Sequence, residues 1–192
     1  DRIADKSEKI WKALPKEYKA AYYELVHYPV KGAALMNKKM LVAQQNRWYA
    51  RQGRAATNML ADQVKSYQDS LDYYTDQFNS LLNGKWNHMM SITPGWTGTY
   101  QNMPPIENIT VAGEADMQIF IPGQDCTYGM GAVYALPCVN PYTKNNSFIE
   151  LYNRGSKPFN WKATTQNNWI KLSRTTGKVN LQDRITVSVD WN

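Results

Sequence analysis

The spacing of apolar residues changes near the middle of the chain, and that change restricts the fold to two unlike halves. Before Gly84 apolar residues recur at three and four. Leu60, Val64, Tyr67, Leu71, Tyr74, Phe78 and Leu81 form a helical seam, with Asp62, Gln63, Lys65, Gln68, Asp69 and Asp72 off it. Asn83-Gly84 closes this helix, and Gly84 suits the left-handed cap position. Trp11, Leu14, Tyr18, Ala21 and Leu25 mark an earlier helix, with Pro15 near a start, where its missing N–H costs nothing. Tyr28-Pro29 then predicts a break or kink, since proline removes a backbone bond and disfavours helix before it. A further helix spans about Val30 to Gln52. Its two adjacent stripes, Ala34, Leu41, Trp48 and Leu35, Val42, Tyr49, predict burial on more than one side. Gly53 ends it, and so short a connection makes its neighbours antiparallel. Residues 1–84 therefore read as an antiparallel three-helix bundle.

From about residue 106 the period is two. Ile185, Val187, Val189 and Trp191 alternate with Thr186, Ser188 and Asp190, and 115–121, Phe148 to Tyr152 and 158–164 read as further strands. Turn signals stand at Pro122-Gly123, Arg154-Gly155, Asn167-Asn168 and Thr176-Gly177. Short strands so spaced predict an immunoglobulin-like antiparallel β-sandwich over 111–192. Residues 85–110 form a Gly-, Pro- and aromatic-rich linker, with the boundary near 105–112. The fold class is α+β and multidomain.

The net charge of +6 is spread over both halves without a basic block, which argues against a nucleic-acid partner. No apolar run approaches the ~20 residues that would span a membrane, so no membrane partner is expected. The opening Asp1-Arg2-Ile3 lacks an apolar leader and reads as mature, cytosolic or cut from a longer protein. Cys126 and Cys138 cannot build a four-ligand zinc site alone, and only His27 and His88, distant in sequence, could help, so no zinc site is expected; the cysteines are either a disulfide or two thiols. No metal or cofactor is implied.

For catalysis the sequence offers no nucleophile elbow, phosphate loop or cysteine paired with a base. A carboxyl pair for glycoside hydrolysis would have to come from Glu17, Glu24 or Asp76, on helices among lysines where a solvated face explains them. The most unusual string is Gly84-Lys85-Trp86-Asn87-His88-Met89-Met90. It sets a cation, an indole, an amide and an imidazole at consecutive positions after a helix end. Lys85 could take a carboxylate, His88 a hydrogen bond and Trp86 a sugar ring; alternatively Trp86, Met89 and Met90 plug the joint between domains. Trp96 and Tyr100 form an aromatic loop that is either a recognition surface or a packed linker. Asn46, Arg47, Arg51 and Arg54 cluster where arginine could grip a carboxylate or offset the helix dipole. Asn37, Gln44 and Gln45, if buried, need partners for their amides.

Three strings in order resemble glycoside hydrolase family 115, the xylan α-glucuronidases: Leu14-Pro15-Lys16-Glu17-Tyr18 through Tyr23-Glu24-Leu25-Val26-His27-Tyr28-Pro29-Val30-Lys31, then Ala50-Arg51-Gln52-Gly53-Arg54, then Gly84 to Met90. The likeness covers about 7–105 and continues loosely through the β half. There Phe159-Asn160-Trp161 and Trp169-Ile170-Lys171-Leu172-Ser173 resemble immunoglobulin-like modules of polysaccharide enzymes. After Met90 the chain departs from the family pattern, with Ser91-Ile92-Thr93-Pro94-Gly95-Trp96 in its place.

The resemblance implies an accessory, non-catalytic part of an inverting periplasmic or secreted enzyme, whose acid and base lie on a barrel this chain lacks. No catalytic residue is therefore carried over. Lys85, Trp86, Asn87 and His88, with Arg51 and Arg54, become the expected substrate-binding residues. The implied partners are the N-terminal catalytic domains, glucuronoxylan or an aldouronic acid, and a second copy in a homodimer. The residues alone leave two other readings open, a stand-alone carbohydrate-binding module and a purely structural interaction domain.

Overall fold

The computed structural model describes residues 2–90, 102–123 and 134–191. The chain is α+β, with helices first and antiparallel sheets after. It divides into two compact units, Asp1–Arg47 with Asn58–Glu107 and Trp48–Thr57 with Asn108–Asn192.

Helix α1 (Arg2–Ala13) stops ahead of Pro15, which takes extended backbone (φ −57°, ψ 150°) at the N-cap of α2 (Lys16–Tyr22). A residue before proline is pushed out of helical backbone, so the chain breaks here. The break predicted at Tyr28-Pro29 does not occur. Helix α2 runs through a π-helical turn (Tyr23–His27) into α3 (Tyr28–Arg51) as one rod of 36 residues. The Tyr28 N–H reaches back to the Tyr23 carbonyl. The wider π turn removes the four-residue register in which the Pro29 ring would strike a carbonyl.

Helix α4 (Ala56–Gly84) buries the predicted seam, with Leu60, Val64, Leu71 and Phe78 all in the interior. Three hydrogen bonds tie it to the rod. Tyr23 Oη donates to the Tyr74 carbonyl at 3.0 Å, the Tyr28 and Thr75 hydroxyls meet at 3.0 Å, and Lys39 Nζ donates to Gln68 Oε1 at 2.8 Å. From Tyr28 to Lys39 along the rod the partner on α4 steps back from Thr75 to Gln68, so the two run antiparallel.

The rod buries Ala34 and Tyr49 of the predicted stripes but not the rest. Leu41 is 70 % exposed and Trp48 is exposed too, whereas Lys39, Ala43 and Asn46 are buried. The polar pair holds the chain that follows α4. Lys39 Nζ donates to the Asn102 carbonyl at 3.2 Å. The Asn46 amide both donates to the Glu107 carbonyl (2.9 Å) and accepts from the Glu107 N–H (2.8 Å), as a backbone partner would. The three amides singled out in the sequence, Asn37, Gln44 and Gln45, lie exposed.

In the second unit, β1 (Met117–Phe120), β2 (Ser147–Asn153), β6 (Gln182–Val189) and β4 (Ile170–Leu172) form a four-stranded antiparallel sheet in the order β1-β2-β6-β4. A second, two-stranded sheet pairs β3 (Phe159–Lys162) with β5 (Thr176–Val179). Leu151 and Ile185 of the first sheet share a core with Trp161 and Val179 of the second. Thr176-Gly177, read as a turn from sequence, lies in β5 instead. Gly177 stands opposite Trp161, and a Cβ there would fall 2.7 Å from the indole nitrogen. The glycine lets the ring lie flat across its neighbour strand.

Asn153 ends β2 as a buried hub. Its Nδ2 donates to the carbonyls of Lys157 (2.7 Å) and Asn180 (3.2 Å), and its Oδ1 accepts from the N–H groups of Asp116 (3.1 Å) and Gly155 (2.8 Å). An amide with every site occupied fixes three chain segments without a buried charge.

Candidate functional site

Helical backbone in α4 ends before Leu81, which is extended (φ −56°, ψ 139°). Leu82, Asn83 and Gly84 then take φ of 50°, 58° and 81°, and His88 a φ of 69°. Glycine adopts such backbone freely, but a branched side chain such as Leu82 is strained there by about 1–2 kcal/mol. Gly84 therefore occupies the left-handed position its sequence suggested, within a longer left-handed run. Backbone bonds from Lys85 to Leu81 (3.2 Å), Asn87 to Gly84 (3.0 Å) and Met89 to Trp86 (3.1 Å) wind the string into successive turns.

Trp86 and Met90 pack against a cluster of Tyr23, Tyr28 and Phe78 within the first unit. Lys85, Asn87 and His88 face solvent. Lys85 Nζ lies 4.7 Å from the Trp86 ring centroid, and Asn87 Oδ1 accepts from the His88 N–H at 3.0 Å. Of the three residues expected to plug a joint between domains, Trp86 and Met90 pack within the first unit instead, and Met89 is 61 % exposed. Lys85, Asn87 and His88 stand at the surface of the turn that Trp86 and Met90 anchor.

Beside the turn lies a cleft of about 470 Å³. Tyr28, Pro29 and Met36 of α3 form one wall, and Asp72, Thr75, Asp76 and Asn79 of α4 the other; Met90 closes one end. Ligand pockets usually enclose roughly 300–1,000 Å³. The helix seam explains the wall. With Leu71 and Phe78 turned inward, Asp72, Asp76 and Asn79 follow one another along the flank of α4. Asp72 accepts from Gln68 Nε2 at 2.8 Å, and Thr75 donates to the Leu71 carbonyl at 2.8 Å. The cleft and turn are contiguous: a Cβ on Gly84 would meet both the Asn79 carbonyl and Asn87 Cβ at 3.8 Å. Of the three carboxylates weighed from sequence, Asp76 lines this cleft and Glu17 and Glu24 do not.

The arginine cluster is taken apart. Arg51 is exposed at the end of α3, but Arg54 is 1 % exposed and enclosed in the second unit. Its Nη1 pairs with Glu150 Oε2 at 2.8 Å and donates to Gln182 Oε1 at 3.3 Å, while Nε donates to Gln52 Oε1. Tyr49 and Tyr152 cover the two sides of the guanidinium, 4.1 and 4.0 Å from Cζ to the ring centroids. Here the expectation of substrate contact meets a side chain whose donors already face protein acceptors.

A second polar group was not anticipated. Ser7 Oγ and His27 Nδ1 lie 3.1 Å apart, and His27 Nε2 is 3.5 Å from Glu8 Oε2. Trp11 stacks on the imidazole, with centroids 5.1 Å apart. Ser7 and His27 are both buried, so the order serine, histidine, glutamate joins α1 to the π turn and is closed to a substrate. Burial holds the His27 pKa down, against the pull of Glu8. Burial also opposes the Glu8 charge, but hydrogen bonds from Lys31 and Lys12 bring its pKa below the ordinary value. The only signal in the sequence was His27 within an aromatic run.

Trp96, Tyr100 and Cys126 lie outside the described residues; Cys138 is exposed. Trp169 is 52 % exposed beside an apolar recess lined by Leu136, Ile170, Val187 and Val189. Among the described residues no cluster of His, Cys, Asp and Glu could hold a metal ion, and no helix is long and apolar enough to cross a membrane. Neither a scan against protein-family models nor a search of curated proteins finds a match for this chain.

Proposed function

We propose that this chain is an accessory, non-catalytic part of an inverting xylan α-glucuronidase of glycoside hydrolase family 115. In this reading residues 1–84 act as a three-helix bundle that docks on the catalytic domains of the same polypeptide, with dimerisation a further role. The β half is an immunoglobulin-like sandwich that spaces or weakly binds sugar. The enzyme works in the periplasm or outside the cell on glucuronoxylan, and Lys85, Asn87 and His88 border the pocket for its uronic acid. The observation that carries the reading is the turn after α4, where Trp86 and Met90 are tucked into the aromatic cluster while a cation, an amide and an imidazole stand in solvent. Leu82, Asn83 and His88, on either side of Lys85, take left-handed backbone, and such residues cluster at functional sites. An exposed ammonium supplies the charge a uronate carboxylate requires. Arg51 has the same chemistry and exposure in the second unit.

Titration of the ¹⁵N-labelled chain with an aldouronic acid tests this. Amide shifts concentrated at Lys85–His88, and lost in Lys85→Ala, are the expected result. No shift at those residues at millimolar ligand refutes direct contact with the uronate. Shifts centred on Trp169 instead would favour a separate sugar-binding module in the β half.

A further inference from the structure

The cleft beside the turn has the opposite electrostatic character from the turn. We propose that it is a subsite for a neutral saccharide segment, and that together cleft and turn orient a uronate-branched oligosaccharide, uncharged part toward Asp72 and Asp76 and acid toward Lys85. This rests on the function proposed above and adds a second surface and a direction to it.

Ionised aspartates only accept hydrogen bonds, and each offers two oxygens. Asp76 carries no hydrogen bond or ion pair among the described residues, and Asp72 has one, from Gln68. Facing them, Pro29, Met36 and Met90 supply apolar surface and no donor. On the α4 wall Asp72 and Asp76 accept while Thr75 and Asn79 carry donors as well; with the apolar surface of Pro29, Met36 and Met90 opposite, this mix matches a sugar ring, which offers hydroxyls on its edge and C–H groups on its face. From Asp72 to Asn79, and from Pro29 to Met36, each wall is about 10 Å long at ~1.5 Å per helical residue, room for a short saccharide.

Charge decides between ligands. A uronate placed between two carboxylates would be repelled, so the acid is driven to the other end. A cation would be attracted, but both aspartates are exposed, and ion pairs formed in solvent contribute little. A sugar ring also buries its C–H face on Pro29, Met36 and Met90, a contribution that an ion pair lacks and that does not depend on burying the carboxylates. Asn79 lines the cleft beside Asp76, and its carbonyl and Asn87 Cβ flank the same space at Gly84, so one ligand can reach both surfaces.

The test is an amide-shift titration with a neutral xylo-oligosaccharide, free glucuronate, an aldouronic acid and lysinamide, on the native chain, Asp76→Ala and Lys85→Ala. The neutral sugar is expected to move Asp72–Asn79 and to bind roughly tenfold more weakly to Asp76→Ala, the equivalent of one lost hydrogen bond to a charged acceptor. Glucuronate should move Lys85–His88 alone, and the aldouronic acid both sets. Shifts at Lys85–His88 with none at Asp72–Asn79 for any sugar would overturn the subsite and leave the uronate contact standing. A response of the cleft with none at the turn would do the reverse. A response of the cleft to lysinamide and not to the neutral sugar would make it a cation site and overturn the inference. Silence at both surfaces removes both.

Discussion

Replacing Arg54 with methionine separates a structural role for this residue from a ligand-binding one. The guanidinium is 1 % exposed, and its partner Glu150 has a side chain 8 % exposed. Removing one member of a buried pair strands the other charge, at a cost of about 3–5 kcal/mol. Arg184 Nη2, 3.4 Å from the second carboxylate oxygen, offsets part of that loss, so the low end of the range applies. Loss of the cation from between Tyr49 and Tyr152 adds about 0.5–2 kcal/mol, partly returned by methionine sulfur on the rings. Arg54→Met should therefore destabilise by about 3–4 kcal/mol, a fall of roughly 1–4 M in the urea midpoint for a small protein. Glu150→Leu should cost a similar amount, since it leaves the guanidinium buried. The double variant removes both charges and should lie nearer the native chain than either single one, with a coupling of roughly 2–3 kcal/mol. Urea unfolding followed by circular dichroism measures all four chains. A single variant within about 1 kcal/mol of native, or a double variant no better than the worse single one, would refute a coupled buried pair. Loss of aldouronic acid binding by Arg54→Met with native stability would restore Arg54 as a substrate contact.

Three further outcomes follow from the same geometry. Asn153→Asp sets a carboxylate against the Lys157 and Asn180 carbonyls, 2.7 and 3.2 Å from the present Nδ2; it should cost about 2–3 kcal/mol at neutral pH and less in acid, where the protonated form can donate, as thermal unfolding at two pH values would show. Gly155→Ala places a Cβ 1.6 Å from the Glu114 carbonyl oxygen, so residues 112–115 must move away; faster amide exchange there and at β1, with α4 unchanged, is the expected signature. For His27, whose folded pKa is depressed, the unfolded chain takes up the proton first as pH falls. Its contribution is complete above the unfolded value near 6.5 and is lost as pH drops below it, so His27→Gln should flatten the decline in melting temperature between about pH 7 and 5, and an unchanged slope would contradict the assignment.

Periodicity made the regular elements legible. The seam of α4 emerged from Leu60 to Phe78 because one side of a helix returns every three or four residues. The strand at Phe148 to Tyr152 followed from alternation, and it has a twofold use: Ile149 and Leu151 enter the core, while Glu150 and Tyr152 turn to Arg54. The turn at Gly84 was readable for a similar local reason. The cleft was not, because Pro29, Met36, Asp76 and Met90 are scattered along the chain and only the pairing of α3 with α4 makes them neighbours.

Sequence alone therefore determined the two textures, the helical seam, most strands and the left-handed glycine at the end of α4, all of which show as patterns within a few residues, whereas the pairing of the strands, Ile149 with Ile185 for example, does not. Tertiary structure decided the rest. Proline at 15 ends a helix, and proline at 29 does not, because a π turn precedes the second. Arg54, Lys39 and Asn46 are polar in composition yet buried, because each meets acceptors or donors brought by a distant segment. A side chain's hydropathy states what burial would cost; only the folded chain supplies the partner that offsets it.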